Sequence, residues 1–139
     1  MTASEFQVDL VIPTQTKYLS LIGSIGEHIA KGLENYSGDK NALAYQLNLV
    51  LTEATTNAIK HSNSDNPKDT VRITIHIYDD ELVIKVYDHG QGFDLDAVPL
   101  PDDLQESGRG LFFIRELMDS VEYRQEQDWN VLEIRKSLK

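Results

Sequence analysis

Apolar residues in the middle of the chain recur with the spacing of an α-helix and define the longest predicted element. At about 100° per residue, one arc between residues 43 and 61 holds Leu43, Leu47, Val50, Leu51, Ala54 and Ala58. A second stripe lies beside this arc rather than opposite it, and it carries Glu53, Asn57 and Lys60. Side chains three and four residues apart are neighbours on a helix surface. We therefore expect a carboxylate, an amide and an ammonium at the edge of a buried face, where they line a pocket, cap a loop or meet a neighbouring strand.

The segments on either side of this helix alternate between strand and helix patterns. Asp39 is the predicted N-cap of the central helix, because its side chain can accept hydrogen bonds from the first free N–H groups. Gly23 and Gly26 interrupt an amphipathic first helix, where they are either tolerated or permit close packing of a strand or a second subunit. The predicted elements are a strand at 5–12, helices at 17–33 and 40–61, strands at 71–77 and 82–87, a helix at 111–118, and strands at 121–125 and 131–138.

This order of elements predicts a two-layer α/β (α+β) sandwich. Consecutive strands joined by tight turns indicate a mixed, mostly antiparallel sheet, with about three helices packed on one face. The chain does not alternate strand and helix regularly, which argues against a doubly wound nucleotide-binding fold. With 139 residues, we expect one domain spanning residues 1–139.

Composition and charge exclude several classes of function. The net charge of −10 argues against a nucleic-acid partner, since affinity for phosphate backbones comes from Lys and Arg. No run of apolar residues is long enough to span a membrane. The absence of cysteine and of a signal-peptide pattern predicts a cytoplasmic protein. An acidic chain repels a polyphosphate. If this chain binds one, a divalent cation and backbone N–H groups that point at the phosphates must offset that repulsion.

Two glycine pairs flank a long polar loop and are the remaining candidates for chemistry. Asp88 ends a buried-type strand just before Gly90 and Gly92, so its carboxylate either accepts a hydrogen bond from an exocyclic amine or fixes its own turn. Residues 94–107 hold two prolines and predict a loop that covers a site. Gly108 and Gly110 then precede a predicted helix, where backbone N–H groups favour an anion.

Three motifs follow one another along the chain, namely Glu53-x-x-x-Asn57-x-x-x-His61, Asp88-x-Gly90-x-Gly92 and Gly108-x-Gly110-Leu111. In this order they resemble the GHKL ATPase superfamily, which includes DNA gyrase, sensor histidine kinases and a class of heat-shock chaperones. The resemblance spans nearly the whole chain and is closest to the anti-sigma-factor serine/threonine kinases of bacteria. The sequence around the last pair, Gly-Arg-Gly-Leu-Phe-Phe-Ile-Arg-Glu-Leu-Met-Asp, is similar to that branch in particular.

The resemblance implies roles for the polar residues of the central helix. Asn57 would coordinate Mg²⁺ between the phosphates of ATP through its carbonyl oxygen. Glu53 would be the catalytic base toward a protein hydroxyl. Lys60 and His61 would extend the site toward the phosphates, although His61 lies nearer the apolar arc and is as well placed for a structural hydrogen bond.

The resemblance also assigns the two glycine segments to the nucleotide. Asp88 would bind the amine of adenine, and the second pair would cover the phosphates when the loop closes. The positions assigned to nucleotide contacts are Gly90, Gly92, Gly108, Arg109, Gly110 and Leu111.

Two departures from that branch affect the implied chemistry. Some relatives have an arginine just ahead of the second glycine pair, where this chain has Gln105, Glu106 and Ser107, so Arg109 becomes the candidate for that phosphate contact. Relatives often have a small Gly or Thr near the adenine, where this chain has Trp129 and Asn130. These two residues either alter the contacts to the base or lie in a predicted turn at 128–130.

The implied function is a serine/threonine kinase that acts as an anti-sigma factor. In a partner-switching pathway it would bind a sigma factor, phosphorylate a small anti-sigma antagonist, and form a homodimer. The first strand and the glycine-bearing first helix are the candidate surfaces for self-association. Two alternatives remain open, namely a non-catalytic nucleotide-binding module that controls a protein partner and a structural domain without nucleotide.

Overall fold

A computed structural model describes residues 6–34, 36–62, 69–89 and 106–139, with the side chains of residues 61 and 106–109 outside the described set. The chain order of elements agrees with the pattern predicted from the sequence. The elements are β1 (Phe6–Pro13), a 3₁₀ turn (Thr16–Tyr18), α1 (Leu19–Lys31), α2 (Lys40–Ser62), β2 (Thr70–Ile77), β3 (Glu81–Asp88), α3 (Glu106–Leu117), β4 (Ser120–Glu126) and β5 (Trp129–Ser137).

The strands form one sheet in the order β1-β2-β3-β5-β4. Every strand pairing in the described ranges is antiparallel. Helix α2 packs on β2 and β3 and lies between α1 and α3, which gives the sandwich its second layer. The predicted fold class is therefore confirmed for the described residues. None of the helices in these ranges combines the length and the hydropathy needed to cross a membrane.

The predicted apolar arc of α2 forms the centre of the core. All six of its residues are buried, and they pack against the buried row of alternating residues on β2. Asp39 caps the helix as predicted, because its Oδ1 accepts hydrogen bonds from the backbone N–H of Asn41 at 2.9 Å and of Ala42 at 3.3 Å. Such a cap stabilises a helix by about 1 kcal/mol, and it explains why α2 begins at Lys40.

The glycines of α1 let this helix approach α2 closely. A Cβ added at Gly26 would lie 2.6 Å from Leu51 Cδ1 and 3.2 Å from the Leu47 backbone, and one added at Gly23 would lie 2.7 Å from Asn48 Oδ1. Real Cβ atoms essentially never approach other atoms as closely as 2.6 or 2.7 Å, so a larger residue at either position would require the contacted side chains of α2 or α1 itself to shift. The partner of this glycine face is α2, rather than the strand or second subunit considered from the sequence.

A network of ion pairs covers the face of the sheet opposite α2. Its centre is Glu133 of β5, whose side chain is only 6% exposed. The carboxylate accepts hydrogen bonds from Arg135 Nε at 2.9 Å and from Arg124 Nη2 at 3.1 Å, and Lys85 Nζ lies 3.7 Å away. Burial alone would raise the pKa of Glu133, but the hydrogen bonds and charges of Arg135 and Arg124 outweigh it and lower this pKa.

Glu133→Gln should make folding less stable at neutral pH but not at acid pH. The lowered pKa in the folded state gives stabilisation that is complete above the ordinary value of 4.5 and is lost as the pH falls through the folded-state value. Loss of the charge-assisted bonds should lower the free energy of unfolding at pH 7 by about 1–3 kcal/mol. Urea unfolding at pH 7 and at a pH below the folded-state pKa of Glu133 measures this.

The matched control for this experiment is Glu116→Gln, which removes the same charge from an exposed position on α3. It should change the free energy of unfolding by less than about 0.5 kcal/mol. A Glu133→Gln variant whose difference from wild type is the same at both pH values would contradict the assigned role of the carboxylate.

Candidate functional site

The polar stripe of α2 spans two helical turns, and its three residues differ in burial. Asn57 is 2% exposed, Glu53 is half-buried and Lys60 is exposed. The stripe therefore has the predicted position at the edge of the buried arc. His61 lies in the last turn of α2, and its side chain is outside the described residues. A buried amide beside a carboxylate presents oxygen atoms, which are the ligand atoms that Mg²⁺ prefers.

One glycine of the second pair, Gly110, lies against this stripe. Gly110 is buried in α3, and a Cβ built on it would lie 3.2 Å from Cδ of Glu53 and closer still to Oε2. No side chain larger than hydrogen fits here while Glu53 keeps its position. This contact brings two segments of the sequence resemblance together through the packing of α3 on α2.

Helix α3 begins earlier than the sequence predicted. The expectation placed Gly108 and Gly110 ahead of a helix starting at Leu111, and residues 106 and 107 in the preceding loop. Instead α3 spans Glu106–Leu117, so the glycine pair lies within its first two turns. Each glycine costs about 1 kcal/mol of helix propensity, but packing on α2 stabilises the helix despite that cost. Gly108 and Arg109 are in α3 with their side chains outside the described residues, while Leu111 is buried in the core.

Asp88 is the last residue of β3 and is 3% exposed. It lies opposite Asn130 of β5, and its Oδ1 accepts a hydrogen bond from Asn130 Nδ2 at 3.0 Å. The oxygen of that amide in turn accepts a hydrogen bond from Gln125 Nε2 of β4 at 3.1 Å. The register of the three strands therefore holds the carboxylate at the end of the sheet on the same face as α2.

The closing hairpin differs from the prediction in a way that adds to the site. The sequence indicated a turn at residues 128–130, but Trp129 and Asn130 belong to β5, and the turn consists of Gln127 and Asp128. Gln127 adopts a φ of 53°, which a two-residue hairpin turn requires. Asn130 and Gln125 were thus missed as site residues, although a turn placed at 127–128 would have paired them across the hairpin.

Several predicted site residues lie where the structure gives no side-chain geometry. Gly90, Gly92 and most of the predicted covering loop are outside the described residues. Within the described ranges, no group of three His, Asp or Glu side chains is arranged to hold a metal ion. The donor set fits a Mg²⁺ that binds with its nucleotide, because such ions usually take one or two protein ligands and complete their shell with phosphate oxygens and water.

A separate cavity of about 540 Å³ lies at the opposite end of the sheet from Asp88. It is bounded by the C-terminal end of α1 and the β2–β3 turn, and its lining includes Phe6, His28, Ile77 and Leu138. Its described lining contains none of the assigned nucleotide residues that the structure describes, which are Asn57, Lys60, Asp88, Gly110 and Leu111. The cavity is therefore distinct from the predicted site.

Comparisons of the sequence with known proteins agree with this architecture. The profile of the histidine kinase-like ATPase domain matches residues 24–136. A serine-protein kinase RsbW from Oceanobacillus iheyensis is 29% identical over 124 residues, which cover 82% of this chain and 76% of the relative. A protein of the same name from Halalkalibacterium halodurans is 30% identical over 129 residues, covering 86% of this chain and 76% of the relative.

A comparison of folds finds the same architecture in a protein of lower sequence identity. The histidine kinase domain of a blue-light-activated histidine kinase from Erythrobacter litoralis EL346 superposes with a TM-score of 0.57 at 22% sequence identity. The superposition covers 91% of this chain and 62% of that one. At this identity the likeness describes the fold alone.

Proposed function

The chain belongs to the histidine kinase-like ATPase domain family, and from that premise we propose that it is an ATP- and Mg²⁺-dependent serine/threonine protein kinase. The observation that supports this most strongly is the contact between Gly110 of α3 and the carboxylate of Glu53 on α2. It places a candidate base against the helix that carries the second glycine pair, and the positive end of that helix's dipole favours an anionic phosphate. The names of the two relatives, both serine-protein kinases, agree with the same reaction.

Each residue has one task in the proposed reaction. Asp88 accepts a hydrogen bond from the adenine amine, and Asn57 offers its carbonyl oxygen as the protein ligand of the metal ion. A bound Mg²⁺ would neutralise charge between the β- and γ-phosphates. Glu53 accepts the proton of the substrate hydroxyl, whose oxygen bonds to the γ-phosphorus while the bond to the ADP oxygen breaks. The backbone around Gly108 and Gly110 faces the phosphates.

The proposed physiological role is that of an anti-sigma factor in a partner-switching pathway. The chain would bind a sigma factor and phosphorylate a small anti-sigma antagonist in the cytoplasm, in accordance with the sequence resemblance. It would act as a homodimer. Edge strand β1 supports self-association, since Val11 is 61% exposed, and Leu21 on the free side of α1 is 56% exposed.

Incubation with Mg·ATP and each candidate anti-sigma antagonist from the same genome tests the proposed reaction. Mass spectrometry should detect one phosphoserine or phosphothreonine on the antagonist, and none when Mg²⁺ is removed by chelation. Calorimetry with Mg·ATP should show binding under the same conditions. If the nucleotide binds but no candidate antagonist is phosphorylated, the kinase proposal fails. Equal effects of ADP and ATP on the binding of a protein partner would then favour a non-catalytic nucleotide-binding module.

A further inference from the structure

A row of three polar side chains crosses the end of the sheet on its helix-covered face. Asp88, Asn130 and Gln125 stand side by side on β3, β5 and β4, because the strand register pairs Asn130 with each of the other two. The preceding row on the same face is apolar and contains Val86 and Leu132, both buried. The polar row is therefore the boundary between the core and the site.

The chemistry of a carboxylate fixes the direction of the two hydrogen bonds that link these three side chains. An ionised carboxylate only accepts hydrogen bonds, so Asn130 must present its Nδ2 to Asp88. Its Oδ1 then points away and needs a donor, and Gln125 supplies one from Nε2. Rotating either amide by 180° would place two acceptors or two donors against each other. The arrangement is thus a relay with one polarity, from Gln125 through Asn130 to Asp88.

Aromatic contacts on the other face of the sheet hold the same strand ends together. The ring of His89 lies 3.6 Å from that of Trp129, measured between centroids, and His89 Nδ1 is 3.0 Å from the backbone oxygen of Asp128. Tyr87 also contacts Trp129, edge-on, with 6.0 Å between the ring centroids. The end of β3 is therefore tied to the β4–β5 turn on both faces, immediately at the level of Asp88.

We propose that Asn130 and Gln125 are positioning residues that hold the Asp88 carboxylate in the orientation that selects an exocyclic amine on the purine. This inference rests on the proposed nucleotide-binding function and adds two residues to it. Each carboxylate oxygen can accept more than one hydrogen bond, so the bond from Asn130 is compatible with a second one from the base. The relay then sets preference for adenine over a purine with a carbonyl oxygen in the same place.

The test compares Mg·ATP with Mg·ITP, whose base carries that carbonyl oxygen. Asn130→Val removes the donor. Asn130→Thr has a side chain of the same shape as valine but restores a donor through its hydroxyl group. Calorimetry should show that Asn130→Val lowers the ATP-over-ITP affinity ratio about tenfold, the size expected for one lost hydrogen bond to a charged group. Asn130→Thr should recover most of the ratio. A purely structural role would weaken both nucleotides equally and leave the ratio unchanged.

A second variant covers the case in which Asn130→Val does not fold. Gln125 is exposed, so Gln125→Leu leaves the core intact while it removes the first donor of the relay. It should lower the same affinity ratio by roughly two- to threefold. An unchanged ratio in Asn130→Val and in Gln125→Leu, with wild type still preferring ATP, overturns the relay alone. A wild-type chain that binds neither nucleotide overturns the proposed function and the relay with it.

Discussion

Glu53→Gln is expected to abolish most phosphoryl transfer while Mg·ATP still binds. The amide keeps the shape of the carboxylate beside Gly110 but cannot take the proton of a substrate hydroxyl. Loss of a general base usually slows such a reaction by about 10²–10⁴-fold. Transfer of labelled phosphate to the antagonist measures the rate, and calorimetry measures binding. A variant that transfers phosphate at the wild-type rate would exclude Glu53 as the base.

Gly110→Ala provides a steric version of the same experiment. The added Cβ would occupy the space of the Glu53 carboxylate and turn it away from the substrate, so transfer should fall in the same direction. Gly32→Ala is the matched control, because a Cβ there would have no contact closer than 3.4 Å. If both alanine variants transfer phosphate equally well, the contact between Gly110 and Glu53 does not matter for the reaction.

Asp88→Asn is expected to weaken Mg·ATP binding by about 10- to 100-fold. The side chain is buried and already accepts a hydrogen bond from Asn130. An asparagine at this position offers one oxygen where the carboxylate offers two, so it either sets its NH₂ group against a donor or requires both Asn130 and Gln125 to rotate. In each arrangement the negative charge that strengthens the bond to the adenine amine is lost. Such a loss costs about 1–3 kcal/mol, which corresponds to the stated range.

Calorimetry measures this loss of affinity, and Asp128→Asn controls for the change of charge. Asp128 is exposed in the nearby hairpin turn, and its contact with His89 uses the backbone oxygen rather than the side chain. The control should bind Mg·ATP as wild type does. Wild-type affinity in Asp88→Asn would contradict the assignment of the carboxylate to the base.

The elements that local pattern determines were predictable from the sequence. The arc of α2 follows the helical period, and Asp39 has the side chain that caps a helix, so both were predicted where they occur. The alternation in β2 likewise gave a buried row of Val71, Ile73, Ile75 and Ile77. In these cases the residues that determine the structure lie within a few positions of one another.

The differences arise where distant segments decide the outcome. Helix α3 extends back through Gly108 because it packs on α2. This packing stabilises the helix, and the helix propensities of its residues do not reveal it. The sequence left two interpretations of Asn130 open, a turn residue or a residue that alters the contacts to the base. Its role depends on strand register, which pairs it with Asp88, a residue far away along the chain. The sequence contained the residues of this relay, but only the sheet brings them together.

A crystal structure with Mg²⁺ and a non-hydrolysable ATP analogue tests the central claim most directly. We expect the adenine amine about 3 Å from the Asp88 carboxylate and Mg²⁺ about 2.1 Å from Asn57 Oδ1. The β- and γ-phosphates should lie beside the first turns of α3. An analogue bound instead in the cavity between Phe6 and Leu138, at the other end of the sheet, with Asp88 and Asn57 touching no part of it, would contradict the account.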